Sequence, residues 1–270
     1  MKKIWKLAQV ALVGLLVAVG VSYATTPTQA ASLSNAAKKE LNQKGTLKIG
    51  LEGTFQPYSY SDKGKLTGYE VELGRDLAKQ MGLKPVFVQT QFDSLIAGLN
   101  GSKYDIILNN MAKNPTRTAK YNFTSPYIYG KSEIAVKKSN KSIKKAKDIK
   151  GKKMAQTASS NNATDAQRLG ATIVSSSGFE QSIELVEQGR ADGTINSVDA
   201  FGAYLKQKPK ANIKLIKADS SIKTQQIGGM LNKKDKNLTK ATNKALKTLR
   251  KNGTLKKLSV KYFGQDVTKK

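Results

Sequence analysis

YEVELGRDLAKQMGLKPVFVQTQFDSLIAGLNGSKYDIILNN, residues 69 to 110, carries the periodicities that decide the fold. In its first part Val71, Leu73, Leu77, Ala78 and Met81 form one apolar face at helical spacing, and Gly82 closes the helix. KPVFVQT then reads as a strand, FDSLIAGLN as a helix and YDIILNN as a second strand. Upstream, TLKIGL (46 to 51) is a short apolar strand, and a hairpin turn falls at Asp62-Lys63-Gly64. This alternation is the rhythm of an open parallel sheet with helices on both faces, an α/β fold.

A second α/β series follows the lysine-rich connector KKSNKSIKKAKDIKGKK. KMAQT, ATIVSS and ADGTINS read as strands, and ATDAQRL, FEQSIELVEQGR and VDAFGAYLKQ as the helices between and after them. QQIGGMLNK (225 to 233) reads as one strand outside that series, ahead of the basic helix NLTKATNKALKTLRKNG and the closing LKKLSVKYFG. Two series of similar composition imply two lobes.

The alphabet excludes whole classes of chemistry. The 270 residues contain neither cysteine nor histidine, so no Ser-His-Asp triad, cysteine nucleophile or His/Cys zinc site can be built. Carboxylate-only catalysis survives that filter. The opening MKKIWK, the apolar LAQVALVGLLVAVGVSYA and the small-x-small end Thr28-Gln29-Ala30 predict a signal peptide over 1 to 30. A retained membrane anchor is the alternative, because the apolar run is nearly long enough to span. Without cysteine, an acylated-cysteine anchor is chemically impossible, and an exported chain holds itself together by core burial alone.

The formal charge is +28, and taking away Lys2, Lys3 and Lys6 with the leader leaves +25. Such a balance draws the chain to polyanions. Behind a signal peptide these are the anionic polymers of a cell envelope. Nucleic acid is not expected, since the lysines are spread along the chain and form no aromatic-interleaved tract.

Ligands in open α/β sheets sit beyond the carboxyl ends of the strands. Three such places are chemically pointed: Asn109 to Arg117, Thr157 to Asn161, and Asn196 to Asp199. Arg117 stands among asparagines, threonines and tyrosines in a chain that mostly uses lysine. Its planar fork grips a carboxylate with two parallel hydrogen bonds, which an ammonium cannot do. The plainer reading is a solvated cation at a helix start. SSNN (159 to 162) sits where a helix begins and either holds an anion or only caps that helix.

These pieces, in order, resemble a known family. LKIGLEGTFQPYSYSDKGKLTGYEVELGRDLAK, FDSLIAGLNGSKYDIILNNMAKNPTRTAKYNFTSPY and LRKNGTLKKLSVKYFG look like the polar amino-acid solute-binding proteins of ABC importers, family 3. ILNNMAKNPTR, GKKMAQTASSNN and GFEQSIELVEQGRADGTINS are most similar to the cystine-binding branch. The resemblance implies a type II two-lobed clamp of the periplasmic-binding-protein kind, with no cofactor, metal or catalytic residue. It divides the chain into a linker over 31 to 44, lobe 1 over 45 to 132 and 225 to 266, lobe 2 over 133 to 224, and a tail over 267 to 270. Two crossing segments, near Lys131 to Val136 and Ser221 to Ile227, form the hinge.

The same resemblance assigns site residues. Arg117 takes the α-carboxylate of a small amino acid. Asn110 and Ala112 hold the same ligand head, although many relatives carry a hydroxyl where Ala112 stands. Ser160 offers its N–H and hydroxyl from lobe 2. The usual acceptor of the α-ammonium is an aspartate at the position of Ser197, a departure here, which leaves Asp199 and Glu52 as the alternatives. Phe55, Tyr58 and Phe92 flank the side-chain pocket or pack in the core, and Asn161 and Asn196 are further contacts. Tyr127 and Tyr129 pack near the hinge.

The implied partners are an ABC permease with its ATPase, and the chain is expected to be a monomer, secreted and surface-associated in a Gram-positive envelope. A basic adhesin for host matrix or wall polymers is the runner-up. An enzyme on the clamp would have to work with Glu52, Asp199 and Glu180, which show no general acid/base spacing.

Overall fold

The computed structural model describes residues 33 to 270, so the expected signal peptide lies outside the described residues. The chain enters through a short helix, α1 (Asn35–Lys39), started by Ser34, whose hydroxyl accepts the Ala37 N–H. This helix falls in the stretch expected to be a linker, and it is packed: Leu33 and Ala37 are buried. Behind it, Glu40 accepts the N–H groups of Asn237 and Leu238 at 3.2 and 2.6 Å, capping a distant helix that has no side-chain cap of its own.

There follow β1 (Thr46–Leu51), the hairpin strands β2 (Tyr60–Asp62) and β3 (Lys65–Thr67), α2 (Tyr69–Gln80), β4 (Lys84–Gln89), α3 (Phe92–Asn100) and β5 (Ile106–Ile107). A short helix and strand that periodicity did not reveal come next, α4 (Pro115–Lys120) and β6 (Tyr121–Phe123). Then β7 (Ile128–Gly130) leads out of the first lobe. The second lobe holds β8 (Ser132–Lys137), β9 (Lys153–Gln156), α5 (Asn161–Arg168), β10 (Thr172–Ser175), α6 (Phe179–Glu187), β11 (Thr194–Ser197), α7 (Val198–Gln207) and β12 (Ile213–Lys217). The chain returns through β13 (Gln225–Ile227) and β14 (Met230–Asn232) and ends in α8 (Lys236–Lys251) and α9 (Thr254–Phe263).

Lobe 1 is built on a five-stranded sheet in the order β4-β1-β5-β14-β6. Strand β1 runs parallel to β4 and β5, with Ile49 beside Phe87 and Ile106. The alternation predicts a parallel sheet, but this one is mixed. Strand β14 comes back from lobe 2 and enters antiparallel between β5 and β6.

QQIGGMLNK is likewise two strands in two sheets. A Cβ at Gly228 would lie 3.0 Å from the Thr124 carbonyl, and one at Gly229 would lie 2.7 Å from Ile106 Cδ1. The glycine pair lets the backbone pass that close and break the strand.

Lobe 2 has a parallel pair, β10 and β9, and an antiparallel set, β11-β8-β12, joined by a bridge between Met154 and Gly193. Successive residues of β8 face opposite cores: Ile134 and Val136 pack with Met154 and Ala166, and Ala135 packs with Ile183, Val186 and Phe201.

The lobes are joined by β7 and β13, which pair antiparallel. The first crossing therefore lies a few residues earlier than the sequence suggested, because Ser132–Lys137 is already the middle strand of the lobe 2 sheet. Among the described residues no helix is long and apolar enough to cross a membrane.

Candidate functional site

Loops after β1, β5, β9 and β11 meet at the gap between the lobes, where they enclose a cavity. Lobe 1 lines it with Glu52, Phe55, Phe92, Asn110, Ala112 and Arg117. Lobe 2 lines it with Ser160, Asn161 and Asn196 among the residues expected there. Three further residues named from sequence lie elsewhere.

Tyr58 is fully buried behind the wall, stacked on Phe55 at 4.8 Å, and its hydroxyl donates to Ser197 Oγ at 2.9 Å. Ser197 is spent on that bond and on capping α7, where its Oγ accepts the Ala200 N–H at 3.2 Å. Asp199 points into a separate groove beside Gln265, where burial raises its pKa. Of the three acids considered for catalysis, only Glu52 lines the cavity.

The position of Arg117 follows from its own short helix. Asn114 caps α4 by accepting the Arg117 N–H at 2.7 Å, and Pro115 occupies the first helical position, where no N–H is needed. The side chain turns inward and is only 6% exposed. Its Nη1 donates to the Ala112 carbonyl at 2.9 Å, and its Nη2 donates across the gap to the Ser159 carbonyl at 2.8 Å. The ring of Phe92 lies 6.0 Å from the guanidinium carbon. Burial pulls the pKa down to about 10, so the group stays charged at neutral pH.

Ion pairs among the described residues join Arg168 to Asp165, Lys208 to Glu180 and Lys261 to Glu72, none of which involves Arg117. Arg117 is thus a buried cation satisfied only by neutral carbonyls, with donors left over. A charge in that setting favours an anion that fills the remaining donors.

Asn110 takes a left-handed backbone, φ 48°, which asparagine tolerates better than most residues. Its N–H is held by the buried carboxylate of Glu70. Glu52 reaches the cavity from the end of β1. Asn109 clasps it twice, accepting the Glu52 N–H and donating to its Oε2, each at 2.7 Å. Burial nevertheless raises the Glu52 pKa to about 7.

Ser160 is both cap and wall: its hydroxyl accepts the Ala163 N–H at 3.0 Å at the start of α5, and it lines the cavity. Asn161 receives a hydrogen bond from Asn114 across the gap at 2.7 Å. With Ser159 on Asp93 and Gln225 on Asn162, such bonds hold the lobes together.

Sequence reasoning missed Gln156, Phe179, Ser182 and Gln225, which complete the lining together with Thr157 and Asn162 from the stretches already singled out. Gln156 closes β9, and Phe179 opens the helix after β10, so both sit at strand exits of the kind already singled out. Phe179 meets Phe55 across the gap, with ring centres 5.6 Å apart.

The pattern of the bacterial extracellular solute-binding proteins, family 3, matches residues 47–265. A probable amino-acid ABC transporter-binding protein of Haemophilus influenzae is 45% identical over 224 residues, covering 83% of this chain and 86% of the relative. An ancestral arginine-binding protein bound to arginine superposes with a TM-score of 0.76 at 31% identity, over 82% of this chain and 99% of that one. The L-cystine solute receptor of Neisseria gonorrhoeae, unliganded and open, is more alike in sequence, 36%, over 88% and 100% of the two chains, yet its TM-score is 0.58. Rotation of two rigid lobes about a hinge degrades a whole-chain superposition without altering either lobe. The lobes described here touch and sit on the closed side. The clamp, the strand-exit loops at its gap and the match from 47 to 265 together place this chain in the bacterial extracellular solute-binding proteins, family 3.

Proposed function

We propose that the chain is the solute-binding component of an ABC amino-acid importer and holds L-cystine or a related polar amino acid between its lobes, 45 to 132 with 225 to 266 and 133 to 224. The observation that carries this reading is the buried Arg117 guanidinium at the lobe gap, bonded only to carbonyl oxygens. An α-carboxylate supplies the missing charge and closes the fork. The first-turn N–H groups of α5 beyond Ser160, whose own N–H is held by the Thr157 carbonyl at 3.0 Å, complete the grip on that head.

Glu52 takes the α-ammonium. It is the acid lining the cavity, whereas Ser197 is spent on Tyr58 and Asp199 faces away. Phe55, Phe92 and Phe179 enclose the apolar or sulfur-bearing stem. The choice of cystine is supported by the 36% identity to a cystine receptor. An ABC permease and its ATPase receive the closed form. The formal charge of +28 favours salt-sensitive association of the exterior with anionic envelope polymers. The adhesin reading draws no support from these relatives.

Titration calorimetry tests the proposal: L-cystine binds the wild-type protein, and Arg117→Ala abolishes measurable binding while the variant unfolds cooperatively. Undiminished binding by Arg117→Ala refutes it.

A further inference from the structure

Lysines that are spread along the sequence fall into a row once α8 forms. Lys236, Lys240, Lys244, Lys247 and Lys251 follow one another at steps of four, four, three and four residues. At about 100° of turn and 1.5 Å of rise per residue, they share an arc of about 80° and a row about 22 Å long. All five are exposed, while Leu238, Ala245, Leu246 and Leu249 on the other side of the helix are buried in the lobe 1 core.

Nothing in the protein neutralises this row. From Lys236 to Lys257 the chain holds eight cations and no acid. The acids at its start are withdrawn: Glu40 is spent on the Asn237 and Leu238 N–H groups, and Asp235 is buried. Among the described residues, the lysines with bonded ammonium groups are Lys208, Lys214, Lys233 and Lys261, none of them in the row. Like charges at such spacing repel, and Lys236 adds a cation to the first turn, where the helix field disfavours it. The row thus works against its own helix, and only an external polyanion relieves it.

A membrane suits this face poorly. Helices that lie on lipid bury an apolar face there, but the apolar face of α8 is already buried, and Val260 of α9 is the one large apolar side chain exposed among the described residues. The row is also lysine alone: Arg250 is turned to the carbonyls of Thr268 and Pro126. Mobile point charges suit phosphate groups on a flexible chain, whereas planar carboxylates favour the arginine fork. The other dense cluster, Lys137 to Lys153, shares no helical period and encloses Asp148, which accepts the N–H groups of Lys144 and Lys145.

Resting on the reading that the exterior associates with anionic envelope polymers, we propose that the exposed face of α8 is the docking surface for a linear phosphodiester polymer. None of the five lysines lines the cavity, so the polymer lies on lobe 1 and leaves the gap open to ligand.

The test is calorimetry with poly(glycerol phosphate) over a series of salt concentrations. The row variant combines Lys236→Gln, Lys240→Gln, Lys244→Gln, Lys247→Gln and Lys251→Gln. A connector variant combines Lys138→Gln, Lys141→Gln, Lys144→Gln, Lys147→Gln and Lys150→Gln, and removes the same charge. The row variant is expected to bind at least about tenfold more weakly at low salt, with the slope of log K against log salt smaller by about 3; the connector variant changes that slope by less than about 1. Glutamine matches lysine in helix propensity, so the row variant should be no less stable to urea at low salt than wild type. Arginine at the same five positions should keep the binding.

Equal weakening of the row and connector variants overturns the docking face and leaves a general attraction by charge. Tighter binding to phosphatidylglycerol vesicles than to the polymer, at equal phosphate, assigns the face to a membrane and overturns it too. Wild type that does not bind the polymer at low salt overturns both readings.

Discussion

Glu70 accepts the backbone N–H of Asn110 through both carboxylate oxygens, at 2.7 and 2.9 Å. The same carboxylate accepts the hydroxyl of Tyr127, the residue before the crossing strand β7. One buried acid thus fixes the left-handed loop that faces the cavity and the start of the crossing strand. Neither bond reaches solvent, since Glu70 and Tyr127 are both fully buried.

Glu70→Ala leaves two buried donors, the Asn110 N–H and the Tyr127 hydroxyl, without partners. The expected loss is about 2–4 kcal/mol of folding stability, read from urea unfolding, with weakened ligand binding from the loosened loop. Glu70→Gln keeps an acceptor for Asn110 and is expected to lose less. An alanine variant as stable as wild type would show that the loop holds itself.

Stability and affinity should respond oppositely to pH. Burial raises the carboxyls of Glu52 and Glu70 to about 7 in the folded chain, against an ordinary value of 4.5. A raised acid pKa means that the folded form binds the proton more tightly. The contribution of these groups is therefore full below 4.5 and is lost as pH rises through 7. Wild type compared with Glu52→Gln by urea unfolding isolates the Glu52 share, expected to decline by up to about 2 kcal/mol between pH 5 and 8. On the proposal that ionised Glu52 holds the α-ammonium, ligand affinity moves the other way. Calorimetry should show binding weaker by up to about a hundredfold at pH 5 than at pH 8, since pH 5 lies two units below the Glu52 pKa of about 7, and less dependence in Glu52→Gln.

Asp93 holds the lobes from the edge of the gap, accepting the Ser159 N–H at 3.1 Å, while the carbonyl of Ser159 receives Arg117. Asp93→Ala removes two cross-lobe bonds, from the Ser159 N–H and from its hydroxyl, without touching the guanidinium. Two exposed bonds of this kind are together worth about 1–2 kcal/mol, so the expected change is an increase in Kd of about five- to thirtyfold. Small-angle scattering should record a larger radius of gyration without ligand, and an unchanged one with saturating ligand.

Much of this was legible in the sequence. Helix α2 declares itself by one buried face and β1 and β4 by short apolar runs bounded by polar residues, and strand-exit loops then locate Glu52, Asn110, Arg117 and Ser160. What escaped depends on distance in the chain. β14 enters its sheet antiparallel because the chain has first built another lobe, which local periodicity does not encode. Tyr58 looks like a pocket aromatic, but its partners are Ser197 and Phe263, over a hundred residues away. Gln156 carries no helical or strand signature beyond its place at the end of β9, and its buried Nε2, which lacks a hydrogen-bond partner in the protein, is legible only in the structure.

Tyr58→Phe asks whether closure can be weakened from behind the cavity. The Tyr58 hydroxyl and Ser197 Oγ form a buried bond between the lobes, and neither residue lines the cavity around Arg117. Removing the hydroxyl strands no group, because Ser197 keeps its bond to the Ala200 N–H and the ring stays stacked on Phe55. The closed form alone loses a neutral hydrogen bond, about 0.5–1.5 kcal/mol, and the open form loses nothing. A change confined to one side of a two-state equilibrium appears as affinity, so Kd should rise by about two- to tenfold. It should appear mainly as faster dissociation, since the closed complex opens more readily while the encounter with the open cleft is unaltered. Stopped-flow measurement of both rates separates this from a damaged pocket. An unchanged Kd would mean that the hydroxyl finds an equal partner in the open form, and the bond would then carry no weight in closure.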